Sequence, residues 1–315
     1  MSLLMGMDEA GYGPNLGPLI VAATAWPIAG DPADFDPWAE FSDVLGPPSR
    51  STKRLVVADS KAVYSAGRSL VPLETTVQSF LQLCDIPAHT LSGLWSAVTA
   101  GCTLGTEPAP WLQQEEITLP LEADSETIAL HTQRWQTSCH RAGLTARPVV
   151  RATILSAARF NEQLAIDDNK STTLSRISLS LLASLVDPGA DDPTLVIADK
   201  HGGRNRYDGF LSEAFGDRLI FRQFETAALS CYRLGSLEVH FQAKAEEHFP
   251  VAMASMVAKY IREICMTAFN RYWCRQRPGL KPTRGYPVDA RRFREDIADR
   301  LQQLAIPLDV FWRQR

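Results

Sequence analysis

The sequence predicts an α/β layered domain, and three observations predict it. Short apolar runs of strand length occur at 3–8, 19–26, 149–155, 194–198 and 237–241. Longer stretches carrying apolar residues at helical spacing occupy 70–83, 171–185, 251–273 and 289–304. The two kinds of segment are mixed along the chain, as in a sheet covered by helices.

Each element has its own signal. The run 3–8 ends in Asp8-Glu9 and is followed by Ala10-Gly11-Tyr12-Gly13-Pro14, a turn signal, so 3–8 and 19–26 read as a hairpin. Residues 30–52 are a Pro- and Asp-rich excursion, and 54–58 is a third apolar run ending at Asp59-Ser60-Lys61. In 70–83, Leu73, Val77, Phe80 and Leu81 approximate a helical stripe, with Pro72 tolerated in the first turn. The segment 85–145 holds Trp95, Trp111, Trp135 and an acidic stretch at 115–126; it reads as an insertion in a single domain spanning 1–315. A strand is expected at 149–155, and a helix at 171–185 with Leu174, Ile177, Leu181, Leu182 and Leu185 on one side. The run 194–198 reaches Asp199, and 219–221 and 237–241 read as further strands. The strongest helix, 251–273, shows Met253, Met256, Val257, Tyr260, Ile261 and Ile264 on one face, and Ala254, Ser255 and Ala258 allow a close neighbour. An amphipathic helix at 289–304 closes the chain.

Composition narrows the function classes. With 45% hydrophobic and 22% charged residues in 315, the chain is an ordinary globular one. The longest apolar run, 19–29, is too short to span a bilayer and contains Pro27. Asp8 and Glu9 precede any signal-type segment, and six scattered cysteines form no CxxC pair, so a reducing cytoplasm is expected. A net charge of −4 argues against coating nucleic acid by bulk electrostatics. From Arg271 onward, however, eleven basic residues face five acids, giving +6 there and leaving −10 on the preceding 270. This asymmetry fits a solvated helix face or a phosphate-facing surface equally well.

The chemistry lies in acids at strand ends: Asp8 and Glu9, Asp199, and Glu246 just beyond 237–241. One sheet can bring such ends together although they are distant in sequence. A lone Asp there is most often a turn residue or helix cap. Adjacent carboxylates before a glycine turn are a poor choice for a mere cap, because they repel. Several hard oxygen ligands at one point suit Mg2+ or Mn2+, and two such ions serve phosphodiester cleavage.

Gly6-Met7-Asp8-Glu9-Ala10-Gly11-Tyr12-Gly13-Pro14, followed by Gly17-Pro18-Leu19-Ile20-Val21, resembles the opening motif of type 2 ribonucleases H. Asp59-Ser60-Lys61 resembles that family's second motif, and Asp199 the acid ending its third metal-binding strand. Lys244-Ala245-Glu246 with Ala254-Ser255-Met256-Val257-Ala258-Lys259 is similar to its fourth, and Gly285-Tyr286-Pro287 to its late Gly-Tyr motif. Phe160-Asn161 and Asn169-Lys170 are similar to the type 3 branch. The resemblance covers 1–26, 54–84 and about 146–315. It implies a ribonuclease H-like mixed sheet flanked by helices, with a C-terminal helical region. It also implies that Asp8, Glu9, Asp199 and Glu246 bind Mg2+ or Mn2+ and that Gly11, Tyr12, Gly13, Lys61 and Tyr286 contact substrate. The implied reaction is hydrolysis of the RNA strand of RNA–DNA hybrids, or cleavage at ribonucleotides in DNA, leaving 5′-phosphates, with no membrane and no obligate protein partner.

Three positions depart from the family pattern. Tyr12 stands where arginine is usual, Glu246 where aspartate is common, and Lys200 follows Asp199 in place of glycine. They keep open a non-catalytic hybrid-binding protein of the same fold, or a nuclease of altered substrate range. Lys200, Arg204 and Arg206 are candidate phosphate contacts, and Glu263 a supporting acid.

Overall fold

The computed structural model describes residues 1–46, 54–58, 63, 69–102, 104, 108–167, 169–187, 189–216 and 218–314. Strand β1 (Ser2–Ala10) turns through the glycine loop into β2 (Leu19–Ile28), and the two pair antiparallel from Ser2↔Ile28 to Ala10↔Ile20. A two-stranded parallel sheet follows, formed by β3 (Leu45–Gly46) and β4 (Leu55–Val56). Helix α1 (Val71–Leu83) comes next, and α2 (Ser125–Arg141) begins where the Asp124 carboxylate caps the Thr127 amide at 2.7 Å. Strand β5 (Val149–Leu155) leads to α3 (Ala157–Asp167) and α4 (Lys170–Ala183), the latter capped by Asn169. Then come β6 (Thr194–Asp199), β7 (Phe221–Glu225), β8 (Leu229–Leu234) and β9 (Leu237–Gln242). The chain ends with the long α5 (Phe249–Gln276), α6 (Pro287–Asp296) and short helical turns.

Seven strands form one mixed sheet in the order β5-β2-β1-β6-β9-β8-β7. At its centre β1, β6 and β9 run parallel, and the outer strands are antiparallel to their neighbours. One face of the sheet is covered by α5, with α1 and α2 beyond it; the other is covered by α3 and α4. Helix α5 lies against β1 so closely that a Cβ on Gly6 would run into the Pro250 backbone. The Thr24 hydroxyl donates to the Pro250 carbonyl at 2.8 Å, fixing that end of the helix.

The segment 85–145 feeds this core. Trp135 of α2 packs with Phe80, Trp26, Phe41 and Phe249 at centroid separations of 5.7, 6.1, 6.3 and 6.4 Å. Buried Glu74 of α1 holds the same segment, accepting the amides of Leu121 and Glu122 at 2.6 Å and Ala123 at 2.8 Å.

Several sequence expectations are corrected. The run 54–58 yields only β4, which pairs with β3 and stays outside the main sheet, because the excursion before it supplies a nearer partner. The strand expected at 219–221 begins at Phe221 instead, and β8 was not anticipated, since Ser230 and Arg233 blur its alternation. Helix 251–273 is longer, and it is buried nearly all round, because the sheet and the surrounding helices enclose it. The helix 289–304 breaks at buried Ile297, which joins Phe293 in a core with Phe269, Trp273 and Phe311. Among the described residues no helix is long and apolar enough to cross a membrane.

Candidate metal centre

Ligand sites in open α/β sheets lie beyond the carboxyl ends of the strands. Here the carboxyl ends of three adjacent parallel strands carry acids. In the register of β1 with β6, Met7 faces Ala198, which sets Asp8 and Asp199 at the next step on the same sheet face. Asp199 in turn faces Gln242, the last residue of β9, and Glu246 follows four residues later in a single helical turn. Lys244 takes a left-handed conformation (φ 60°), which bends the chain back so that Glu246 approaches the strand ends.

Electrostatics records the convergence. Burial, and secondarily the charges of Asp199 and Glu246, push Asp8 up to about 7, against the opposing hydrogen bonds from Ser255 and the Glu9 backbone. Glu9 and Asp199 also act together on Tyr207, and Glu9 on Tyr12. The charges of Asp199 and Glu246 thus reach Asp8, and those of Asp199 and Glu9 reach Tyr207. Among the described residues these acids do not bring three ligand atoms within 4.8 Å of one another.

The donor set fits a hard divalent cation: all four side chains offer carboxylate oxygens, and burial together with the charges of Asp199 and Glu246 makes ionisation of Asp8 costly, a cost that a bound cation would offset. Ser255, named in the sequence only as a small residue, holds Asp8 from the face of α5.

Of the residues expected to contact substrate, Gly11, Tyr12 and Gly13 form the turn between β1 and β2, and Tyr286 lies beside it. Gly11 has φ 91°, and Gly13 is exposed with open space where a Cβ would stand. Lys170 donates to the Tyr12 carbonyl at 2.9 Å and lies 4.9 Å from its ring centroid, placing a cation beside Tyr12. Gly285, at φ 81°, packs against the Leu16 carbonyl and accepts the Asn15 amide at 2.8 Å, which brings Tyr286, 54% exposed, to this loop. Lys61 and the rest of Asp59-Ser60-Lys61 lie outside the described residues.

Other candidate contacts are engaged within the fold. Lys200 donates to Asn205 at 2.8 Å and to the Thr226 carbonyl at 2.6 Å, and Arg204 to Ser171 at 3.3 Å and Thr172 at 3.1 Å. Arg206 is exposed, 3.7 Å from Glu225, and Glu263 pairs with Lys259 at 2.6 Å. The sequence reading missed two arginines that brace the glycine loop. Arg313 donates to the carbonyls of Gly11 and Pro14, and Arg262 donates to the Leu16 and Arg284 carbonyls at 3.2 Å. A signal was present for Arg262, a charged residue inside an apolar helical run.

Neither a family model nor a curated protein matches the chain. Among solved structures it is similar to the ribonuclease HII of Archaeoglobus fulgidus in its complex with PCNA, with 16% identity and a TM-score of 0.39 over 99% of this chain and 94% of that one. It is similar to ribonuclease H2 from Pyrococcus horikoshii OT3, with 13% identity and a TM-score of 0.43 over 98% of this chain and 92% of that one. It is also similar to Bst-RNase HIII in complex with Mn2+, with 16% identity and a TM-score of 0.44; it covers 99% of this chain but only 65% of that one. At such identities the function is read from this chain's own side chains.

Proposed function

We propose that this protein is a metal-dependent endoribonuclease that hydrolyses the RNA strand of RNA–DNA hybrids and leaves 5′-phosphate ends. The observation that supports the proposal is the placement of Asp8 and Asp199 at adjacent ends of the parallel strands β1 and β6, where burial, and after it the charges of Asp199 and Glu246, oppose ionisation of Asp8. Asp8, Glu9, Asp199 and Glu246 would hold Mg2+ or Mn2+. Such ions supply water activation and stabilisation of the leaving oxygen. Ser255 orients the Asp8 carboxylate through its hydrogen bond. The Gly11–Gly13 loop, braced from behind by Arg262 and Arg313, would offer the open backbone of Gly13 and the Tyr12 side chain to a shallow minor groove, where 2′-hydroxyls mark RNA. Tyr286 offers an exposed ring next to that loop for stacking on a sugar or base.

The test is cleavage of a strand-labelled hybrid by purified protein in Mg2+ or Mn2+, beside duplex RNA, duplex DNA and a single-ribonucleotide duplex at one salt concentration. Product from the hybrid with wild type, and none with Asp8→Asn, is expected. Tight hybrid binding without product in either metal would instead establish a binding protein of this fold, and preferential cutting of another duplex a nuclease of altered range.

A further inference from the structure

Outside the carboxylate set, one group of chemically distinct ligands converges on the sheet. Cys231 of β8 and His240 of β9 face each other directly across the antiparallel ladder, and Glu238 lies two residues from His240 on the same face. Their neighbours Leu237, Val239 and Phe241 point to the opposite face and into the core. The alternation therefore groups Cys231, Glu238 and His240 as a polar triangle on that face, with Cys231 buried and Glu238 and His240 half-buried.

Potential ligand atoms of the three all lie within 4.8 Å of one another. His240 Nε2 is 2.6 Å from Glu238 Oε1, and Cys231 Sγ is 3.7 Å from the same oxygen and 3.0 Å from Gln223 Oε1 of β7. His248, at the start of α5, is near enough for its imidazole to feel the charge of His240. No other such group of three occurs among the described residues.

We propose that Cys231, Glu238 and His240 form a second metal site, selective for Zn2+ or a similarly soft divalent ion, with His248 or water completing the tetrahedron. Thiolate and imidazole favour zinc over magnesium, whereas the acids at the strand ends offer oxygen alone. Bonds of about 2.0–2.3 Å in a tetrahedral site separate ligand atoms by roughly 3.3–3.8 Å. The sulfur–oxygen distance of 3.7 Å already matches this, and the nitrogen–oxygen contact of 2.6 Å must open by less than about 1 Å. On binding, the Cys231 thiol releases its proton to solvent and His240 exchanges its hydrogen bond to Glu238 for the metal. An ion there would tie the β8–β9 hairpin together by bonds rather than by ladder hydrogen bonds alone.

The experiment is titration of the reduced full-length protein with Co2+ in excess Mg2+, which keeps the oxygen-rich acids occupied. Cobalt bound through sulfur gives a thiolate-to-metal charge-transfer band, which carboxylates cannot produce. One equivalent should develop the band, and Zn2+ should displace it. Cys231→Ser should abolish it, and His240→Gln should weaken cobalt binding roughly tenfold or more. Asp8→Asn and Cys274→Ser should leave it intact. Near-UV circular dichroism establishes that each variant is folded. Absence of a sulfur band in folded wild type, or its persistence in Cys231→Ser, overturns the site, and neither result bears on the carboxylate set.

Discussion

Asp8→Asn tests the setting of the Asp8 carboxylate, buried and beside other acids, without any knowledge of substrate. In the folded protein, burial and the charges of Asp199 and Glu246 lift Asp8 from 3.8 to about 7. Between those two values the unfolded chain has lost a proton that the folded one retains. Stability contributed by Asp8 is therefore full below about pH 4, declines as pH rises toward 7, and stays lost above it. Ionising Asp8 in the fold costs at most on the order of 4 kcal/mol relative to water. Asparagine keeps an oxygen to accept the Ser255 hydrogen bond but carries no charge to repel. In EDTA at about pH 8.5, Asp8→Asn should be more stable than wild type by as much as about 4 kcal/mol, while at about pH 4.5 the two should differ little. Mg2+ should stabilise wild type at the higher pH and do so less for the variant. Urea unfolding at both pH values, with and without Mg2+, measures all of this. Parallel pH profiles for the two proteins in EDTA, or a less stable variant at the higher pH, would refute an Asp8 whose ionisation is opposed by burial and by its charged neighbours.

Three further outcomes are expected. Burial pushes the His201 imidazole down to about 3, helped by Arg204, so its contribution to stability is full above about pH 6.5 and is lost as pH falls toward 3; NMR should find its ring neutral at pH 5, and titration near 6.5 would contradict its placement. Glu74→Ala removes the acceptor of three amides and of the Tyr260 hydroxyl and should cost roughly 3–5 kcal/mol in urea unfolding, whereas a loss below about 1 kcal/mol would mean the 85–145 segment is held otherwise. Gly285→Ala forces a methyl into the Leu16 carbonyl at a left-handed backbone position; it should lower stability by about 2 kcal/mol or more and reduce hybrid cleavage, and an unchanged melting curve would place Gly285 away from the glycine loop.

Local signals carried much of the fold. The β1–β2 hairpin was legible because its apolar runs flank a glycine turn a few residues long, and β5, β6, β9 and α1 because each has a period of its own. Strand β8 was not, since Ser230 and Arg233 interrupt its pattern and its place in the sheet depends on β9 alongside it. The break at Ile297 goes with its burial in a core shared with Phe269 and Trp273 of α5, which lie more than twenty residues away along the chain.

By itself, the sequence determined which residues bear acids at strand ends and which turn needs glycine, because backbone conformation and side-chain alternation are local properties. Only the tertiary structure decided that β1, β6 and β9 lie side by side and that Arg262 and Arg313 brace the glycine loop. It also decided that Cys231 faces His240. Register between segments far apart along the chain is set by which packed arrangement buries the most apolar surface, and that sum is taken over the whole molecule.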